Sequence, residues 1–278
     1  MNSRAVIGCL FLTLALSSAK AVTFTTLDFP GAELTAANGI NSSGQIVGIY
    51  NSSGTHGFLL SGGVYATIDF PGSGTSTWCE GINDAGEIVG WYIAPGNSQP
   101  QGFLMQGTTF TTLNFPGSTY TEAWGINNAG QVVGEYSTGV GVHGFLYQSG
   151  TYTDITVTSA TYTQLRGINN FGDMVGRFGN GNDQGLLIRN GAYVVLSAPG
   201  ALSTNANGIN DLDRVVGYEQ IVGSTSNTIG FEYYRGSYLR IAIPGSTNFQ
   251  ALDINNNLEI VGQYTDSQAV THGFLRTP

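Results

Sequence analysis

The chain has 278 residues, 41 of them Gly, and 18 Asp plus Glu against nine Lys plus Arg, for a net charge of −9. Beyond residue 21 it keeps seven Arg, no Lys and all 18 acids, a net charge of −11. That balance excludes neutralisation of a nucleic-acid backbone, docking of a basic patch on anionic lipid and lysine Schiff-base chemistry. Cys79 is the only cysteine of that part, which also excludes an intrachain disulfide.

Residues 1–21 are read as a separate object. Arg4 precedes an apolar run from Ala5 to Leu16, and Ala19-Lys20-Ala21 supplies small residues at a cleavage position, the pattern of a secretory signal peptide. The run is too short to span a bilayer, and no later segment is apolar enough to do so. The expected mature chain, 22–278, is a single domain in a secreted, extracellular or periplasmic protein.

From residue 22 the chain repeats. Phe24–Gly31 is rich in aromatic and β-branched residues and ends at Pro30-Gly31, a strand that stops in a turn. Ala37-Asn38-Gly39-Ile40-Asn41 is a second strand, Ser42-Ser43-Gly44 a tight turn, and Gln45–Tyr50 a third strand antiparallel to it. His56–Leu60 is a fourth, and Ser61-Gly62-Gly63 turns it into Val64–Gly72, which copies the first. These strands are named A (around Gly39), B (Ile46–Tyr50), C (His56–Leu60) and D (Tyr65–Gly72). The glycine of strand A returns at Gly81, Gly125, Gly167 and Gly208, and Asp253 holds its place in a sixth copy, at steps of 42, 44, 42, 41 and 45 residues. Four short antiparallel strands at this period predict an all-β fold, a six-bladed β-propeller. The chain opens with a lone D strand and closes with A, B and C, so the N-terminal strand is expected to complete the last blade and leave no open edge. Strand A should lie innermost. The turns between A and B and between C and D should share one face, leaving the variable loops on the other.

Asn-x-x-Gly-x-Ile-Val-Gly followed by His-Gly-Phe-Leu resembles the bacterial probable extracellular repeat of the HAF family, named for a His-Ala-Phe signature. The three copies here carry Gly in place of Ala: His56-Gly57-Phe58, His143-Gly144-Phe145 and His272-Gly273-Phe274. The resemblance covers essentially all of 22–278 and implies a secreted protein, with no established activity attached.

Sequence motifs for catalysis are not found: there is no Gly-x-Ser-x-Gly elbow, zinc-protease motif or phosphate loop, and no catalytic residue, cofactor or metal site is assigned. The three histidines occupy one repeat position and are read as structural. Asp28, Asp69 and their counterparts Asn114, Thr156 and Ser197 are read as caps of the turn that follows strand D, and Cys79 as a buried, inert thiol. One feature refuses to repeat. Three and one positions before the strand-A glycine stand Ala36/Asn38, Trp78/Glu80, Glu122/Trp124, Gln164/Arg166, Asn205/Asn207 and Gln250/Leu252. Side chains two apart on a strand project together, so Trp78, Glu80, Glu122, Trp124, Gln164 and Arg166 are expected at the channel mouth. An apolar platform with directional polar groups suits a glycan or an extracellular protein partner. The alternatives are a hydrolase or lyase acting on polysaccharide, with Glu80 and Glu122 as acid and base, and a structural envelope or matrix protein without a discrete site. The oligomeric state is left open.

Overall fold

The structure, a computed structural model, describes residues 22–72, 76–221, 223 and 227–278; the expected signal peptide lies outside them. Twenty-four strands form six four-stranded antiparallel sheets arranged as the blades of a propeller. Blade one holds β2 (Leu34–Ile40), β3 (Ile46–Asn51), β4 (Thr55–Ser61) and β5 (Val64–Ile68). Blade two holds β6 (Thr77–Ile82), β7 (Ile88–Tyr92), β8 (Gln101–Gln106) and β9 (Thr109–Leu113). In blade three are β10 (Tyr120–Ile126), β11 (Val132–Ser137), β12 (His143–Gln148) and β13 (Thr151–Ile155). Blade four has β14 (Tyr162–Ile168), β15 (Met174–Gly179), β16 (Asp183–Arg189) and β17 (Ala192–Leu196). Blade five has β18 (Ala201–Ile209), β19 (Val215–Ile221), β20 (Thr228–Tyr234) and β21 (Ser237–Ile241). The sixth is β22 (Asn248–Ile254), β23 (Ile260–Thr265) and β24 (Thr271–Thr277), completed by β1 (Thr23–Leu27), which runs antiparallel to β24 from Thr23↔Thr277 to Leu27↔Gly273. The expected fold and closure are therefore observed. No helix among the described residues is long and apolar enough to cross a membrane.

The core lies between blades. Phe58, Phe103, Phe145, Phe231 and Phe274, the aromatic residues of the third strands, are fully buried; Leu186 takes the position in blade four. Ala37, Cys79, Ala123, Leu165, Ala206 and Ala251 on the inner strands are fully buried as well. All but Leu165 are small, and a neighbouring blade's third strand presses on them: a Cβ on Gly57 would stand 2.5 Å from Cys79 Sγ. The strand-A glycine has its own reason. A Cβ on Gly39 would meet the Glu80 carbonyl oxygen at 2.8 Å, so adjacent inner strands touch backbone to backbone at the axis. Blades are also clasped by rings: the Phe of Phe-Pro-Gly stacks on the Tyr of the next blade's second strand, as in Phe29–Tyr50 and Phe115–Tyr136, both 3.6 Å between centroids.

The repeated Asn has two functions. In the turn, Asn41 Oδ1 accepts the N–H groups of Ser43 and Gln45 at 3.2 and 3.0 Å. Across the gap, Asn41 Nδ2 donates to the Asn83 carbonyl at 3.1 Å. Asn83 donates to Asn127 at 3.2 Å, Asn127 to Asn169 at 3.0 Å and Asn169 to Asn210 at 3.3 Å. Asn210 donates to Asn255, and Asn255 returns to Asn41, both at 3.0 Å. A closed circle of six amides thus links every blade to the next. The turn glycine takes positive φ, 76° at Gly44 and 71° at Gly130, but the sixth repeat puts Leu258 in that region at 64°.

One expectation is corrected. The turns after strand D are capped by threonines of the next inner strand: Phe29, Phe70 and Phe115 N–H groups donate to Thr35, Thr77 and Thr121 Oγ1 at 3.0 Å, and Val157 N–H to Thr163 at 2.9 Å. The strand-D side chains hold histidines instead. His56 Nδ1 lies 3.0 Å from Asp69, His143 Nδ1 3.1 Å from Thr156 Oγ1 and His272 Nδ1 2.8 Å from Asp28. A hydroxyl four residues before the glycine reaches back to the turn better than a carboxylate whose own strand directs it outward to the imidazole.

Candidate functional site

Each inner strand breaks its pairing register with the second strand just before the glycine, between Ala37 and Gly39 in blade one and at the equivalent place in the other five. The residue before the glycine is the extra one of this bulge, so its side chain is re-aimed toward the axis. The residue three before the glycine sits directly opposite a residue of the second strand: Ala36–Ile49, Trp78–Trp91, Glu122–Glu135, Gln164–Arg177, Asn205–Tyr218 and Gln250–Gln263, of which the Trp, Glu and Gln pairs are identical. The second-strand member escapes the sequence reading, although its signal was visible as the varying x of Val-Gly-x-Tyr.

These positions surround a funnel of about 280 Å³ at one end of the axis. Trp78, Glu80, Trp124 and Arg166 line it together with Trp91, Asn38, Arg177 and Tyr218. Glu122 and Gln164, also expected there, are not among the lining residues; each is held against its cross-strand partner. Trp78 and Trp91 stack at 3.7 Å with their planes 10° apart. Arg166 places its guanidinium carbon 3.5 Å over the Trp124 ring. Arg177 is bound on three sides, its Nε donating to Gln164 and its Nη1 to Asp183 and Asn205 at 2.9 Å.

The carboxyl groups are strongly perturbed. Glu80 is buried and accepts from Asn38 Nδ2 at 2.9 Å and Trp91 Nε1 at 3.2 Å. Desolvation nonetheless lifts it to about 8, against the pull of Arg166 and of those donors. Glu122 also rises to about 8, through desolvation and then the charge of Glu135, with which it shares a hydrogen bond. The buried Oε2 of Glu135 receives no N–H donor. Below the funnel, Asp253 replaces the glycine of the other repeats. Its carboxylate accepts the N–H groups of Ile40 at 3.0 Å and Ile254 at 2.9 Å, and enclosure in the channel raises it to about 7. Six isoleucines, Ile40, Ile82, Ile126, Ile168, Ile209 and Ile254, line the opposite end of the axis beside the Asn circle.

Cys79 is fully buried, and burial, then Glu80 and Asp69, push its thiol well above the usual range; a nucleophile needs the reverse. Among the described residues no group of three or more His, Cys, Asp or Glu is placed to hold a metal ion.

These features define an axial-funnel propeller. No protein-family model matches the sequence, and no curated protein matches it either. Solved structures do. The chain is similar to a protein described as TolB from Agrobacterium tumefaciens, with a TM-score of 0.60 and 14% identity over 88% of this chain and 90% of that one. It is also similar to a mutant of the Aleuria aurantia lectin in complex with alpha-methyl-L-fucoside, at 0.54 and 13% over 90% and 93%. A mutant of AofleA from Arthrobotrys oligospora gives 0.54 and 14% over 93% and 88%. At such identities the shared property is the propeller fold.

Proposed function

We propose that this is a secreted propeller, of the HAF repeat type, that binds a glycan or a protein partner in the axial funnel. The observation that carries this reading is the stacked Trp78–Trp91 pair beside Glu80, Asn38 and Arg166, an apolar platform with directional polar groups in one concavity. An indole face packs against the C–H side of a sugar ring or an apolar side chain, while amide and carboxyl groups take its hydroxyl or amide edges. The likeness in fold to a lectin solved with a fucoside is in keeping with the glycan branch. The test is retention on a glycan array and on immobilised culture-supernatant proteins. Trp78→Ala with Trp124→Ala should lower retention on the positive probe at least tenfold while leaving the melting temperature within a few degrees. Unchanged retention removes the funnel as the site.

The second reading is hydrolysis or elimination at the same funnel. It is favoured by Glu80 and Glu122, two carboxyls raised to about 8 chiefly by burial, the charge of Glu80 adding to the rise at Glu122. If it holds, Glu80→Gln should abolish breakdown of the bound polysaccharide while sparing its retention. An intact product profile after prolonged incubation with wild-type protein excludes it.

A further inference from the structure

The donors of the funnel outnumber its acceptors. Arg177, Arg189, Arg214, Arg240 and Arg276 each have a carboxylate partner. Arg166 has none among the described residues, and none of its N–H groups is hydrogen-bonded there. Its flat face is taken by Trp124, which leaves the in-plane edge, five N–H donors in a fixed fork, unmatched. The indole Nε1 of Trp124, directly beneath, also donates to nothing. An uncompensated guanidinium in a chain of net charge −9 is an expensive arrangement unless something else supplies the anion. The nearest acids do not: Glu80 is engaged by Asn38 and Trp91, and Glu122 by Glu135.

Resting on the glycan branch of the reading above, we infer that the ligand is an acidic saccharide, its ring on the Trp78–Trp91 platform and its carboxylate received by the Arg166 guanidinium. A carboxylate matches the fork of Arg166 in a planar, two-point contact. One negative charge suits one unpaired guanidinium. A funnel of about 280 Å³ lies near the lower end of small-ligand sites and accommodates about one or two sugar rings. The amides of Asn207, Gln250 and Gln263 also line the funnel and suit hydroxyl groups.

The experiment is calorimetric titration of the secreted protein with trigalacturonate, its methyl ester and neutral galactotriose, and with one short peptide bearing a free or an amidated C-terminus. Thermal unfolding verifies that each variant is folded. The free acid should bind at least tenfold more tightly than the methyl ester, which keeps the ring and loses the charge. Arg166→Gln should weaken the acid at least tenfold more than it weakens the ester, and Arg166→Lys should recover only part of that difference because it keeps charge without the fork. Equal binding of acid and ester, or an acid preference that survives Arg166→Gln, overturns the inference. If neutral sugar binds and depends on Trp78 while the acid gains nothing, the inference falls and the binding reading stands. A free peptide carboxylate bound more tightly than any saccharide overturns the saccharide and keeps the protein-partner branch. No binding of any probe overturns the acidic-saccharide assignment together with its glycan basis.

Discussion

Glu122 and Glu135 stand opposite each other on β10 and β11 and share a hydrogen bond. Two carboxyls so placed hold a proton between them, and Glu122 keeps its proton up to about pH 8 in the folded chain, against 4.5 as its ordinary value. Between those two pH values the folded state binds more protons than the unfolded one, so this group makes stability fall as pH rises through the window. Glu122→Gln preserves the shape and removes the ionisation. Melting curves should show little difference between variant and wild type at pH 4, and the variant ahead by about 1–2 kcal/mol at pH 9. A constant gap across that range would refute the shared-proton account. At this scale the sequence was partly legible. Trp78, Glu80, Trp124 and Arg166 stood out because framework positions repeat and these do not. Glu135, Trp91 and Arg177 vary just as much, but their significance depends on which residue faces them, and that is set by pairing register, a property of two strands rather than one.

The hairpin between the first and second strands was legible as a turn, since Gly-Ile-Asn-x-x-Gly gives both the side-chain acceptor and the positive-φ glycine that a tight turn uses. Its second function was hidden, because a local motif says nothing about what the next blade presents. Asn127 is the clearest case: Oδ1 serves the N–H groups of Ala129 and Gln131 within the turn, and Nδ2 serves Gln131 Oε1 and the Asn169 carbonyl. Asn127→Ala removes both sets and should destabilise by roughly 2–4 kcal/mol. Asn127→Asp keeps the turn acceptor and loses the donors, and should fall between. Urea unfolding midpoints separate these outcomes: equal losses for the two variants would show that the turn acceptor contributes nothing, and an Asp variant as stable as the wild type would show that the bond to the next blade contributes nothing. Leu258 carries a side chain at φ 64°, where four other repeats use Gly. Leu258→Gly should therefore raise stability, by about 1 kcal/mol, and a lower midpoint would contradict this.

The whole ring is closed twice, by β1 on β24 and by Asn255 on Asn41. The first closure was readable from the order of the repeats, a lone D strand at the start and a missing one at the end. The ends it joins are close: Thr23 and Thr277 hydroxyls are 2.6 Å apart. A circular permutant that begins at Glu33 and carries residues 22–31 after Pro278 should fold and melt near the parent. Simple deletion of residues 22–31 leaves β24 as an open edge, and should lower the melting temperature and produce concentration-dependent association on size-exclusion chromatography. A deletion that stays monomeric and equally stable would refute closure by this strand. The same seam carries His272, whose contacts with Asp28 and Asp266 raise its pKa against the opposing effect of burial. Its contribution is full below the ordinary histidine value and is lost as pH rises through the raised one. Asp28→Asn should thus destabilise at pH 5 and much less at pH 8, by under about 1 kcal/mol because the pair is solvent-exposed.

The positions that build the frame and those that line the funnel overlap at few points, such as Asn38 and Asn207, which donate to the carbonyls of Cys79 and Ala251 in the next blade at 3.1 and 3.0 Å. The Asn circle recurs in all six blades, the axial glycine and the buried third-strand phenylalanine in five and, among the described residues, the Phe–Tyr stack at three junctions, while the side chains that line the funnel differ from blade to blade. The funnel wall can therefore be rewritten with little change to the frame: exchanging the Trp78–Trp91 pair for an amide pair changes the chemistry of that wall, yet touches none of the amide bonds by which the blades hold one another. A chain organised in this way is a scaffold on which the axial surface varies by substitution alone.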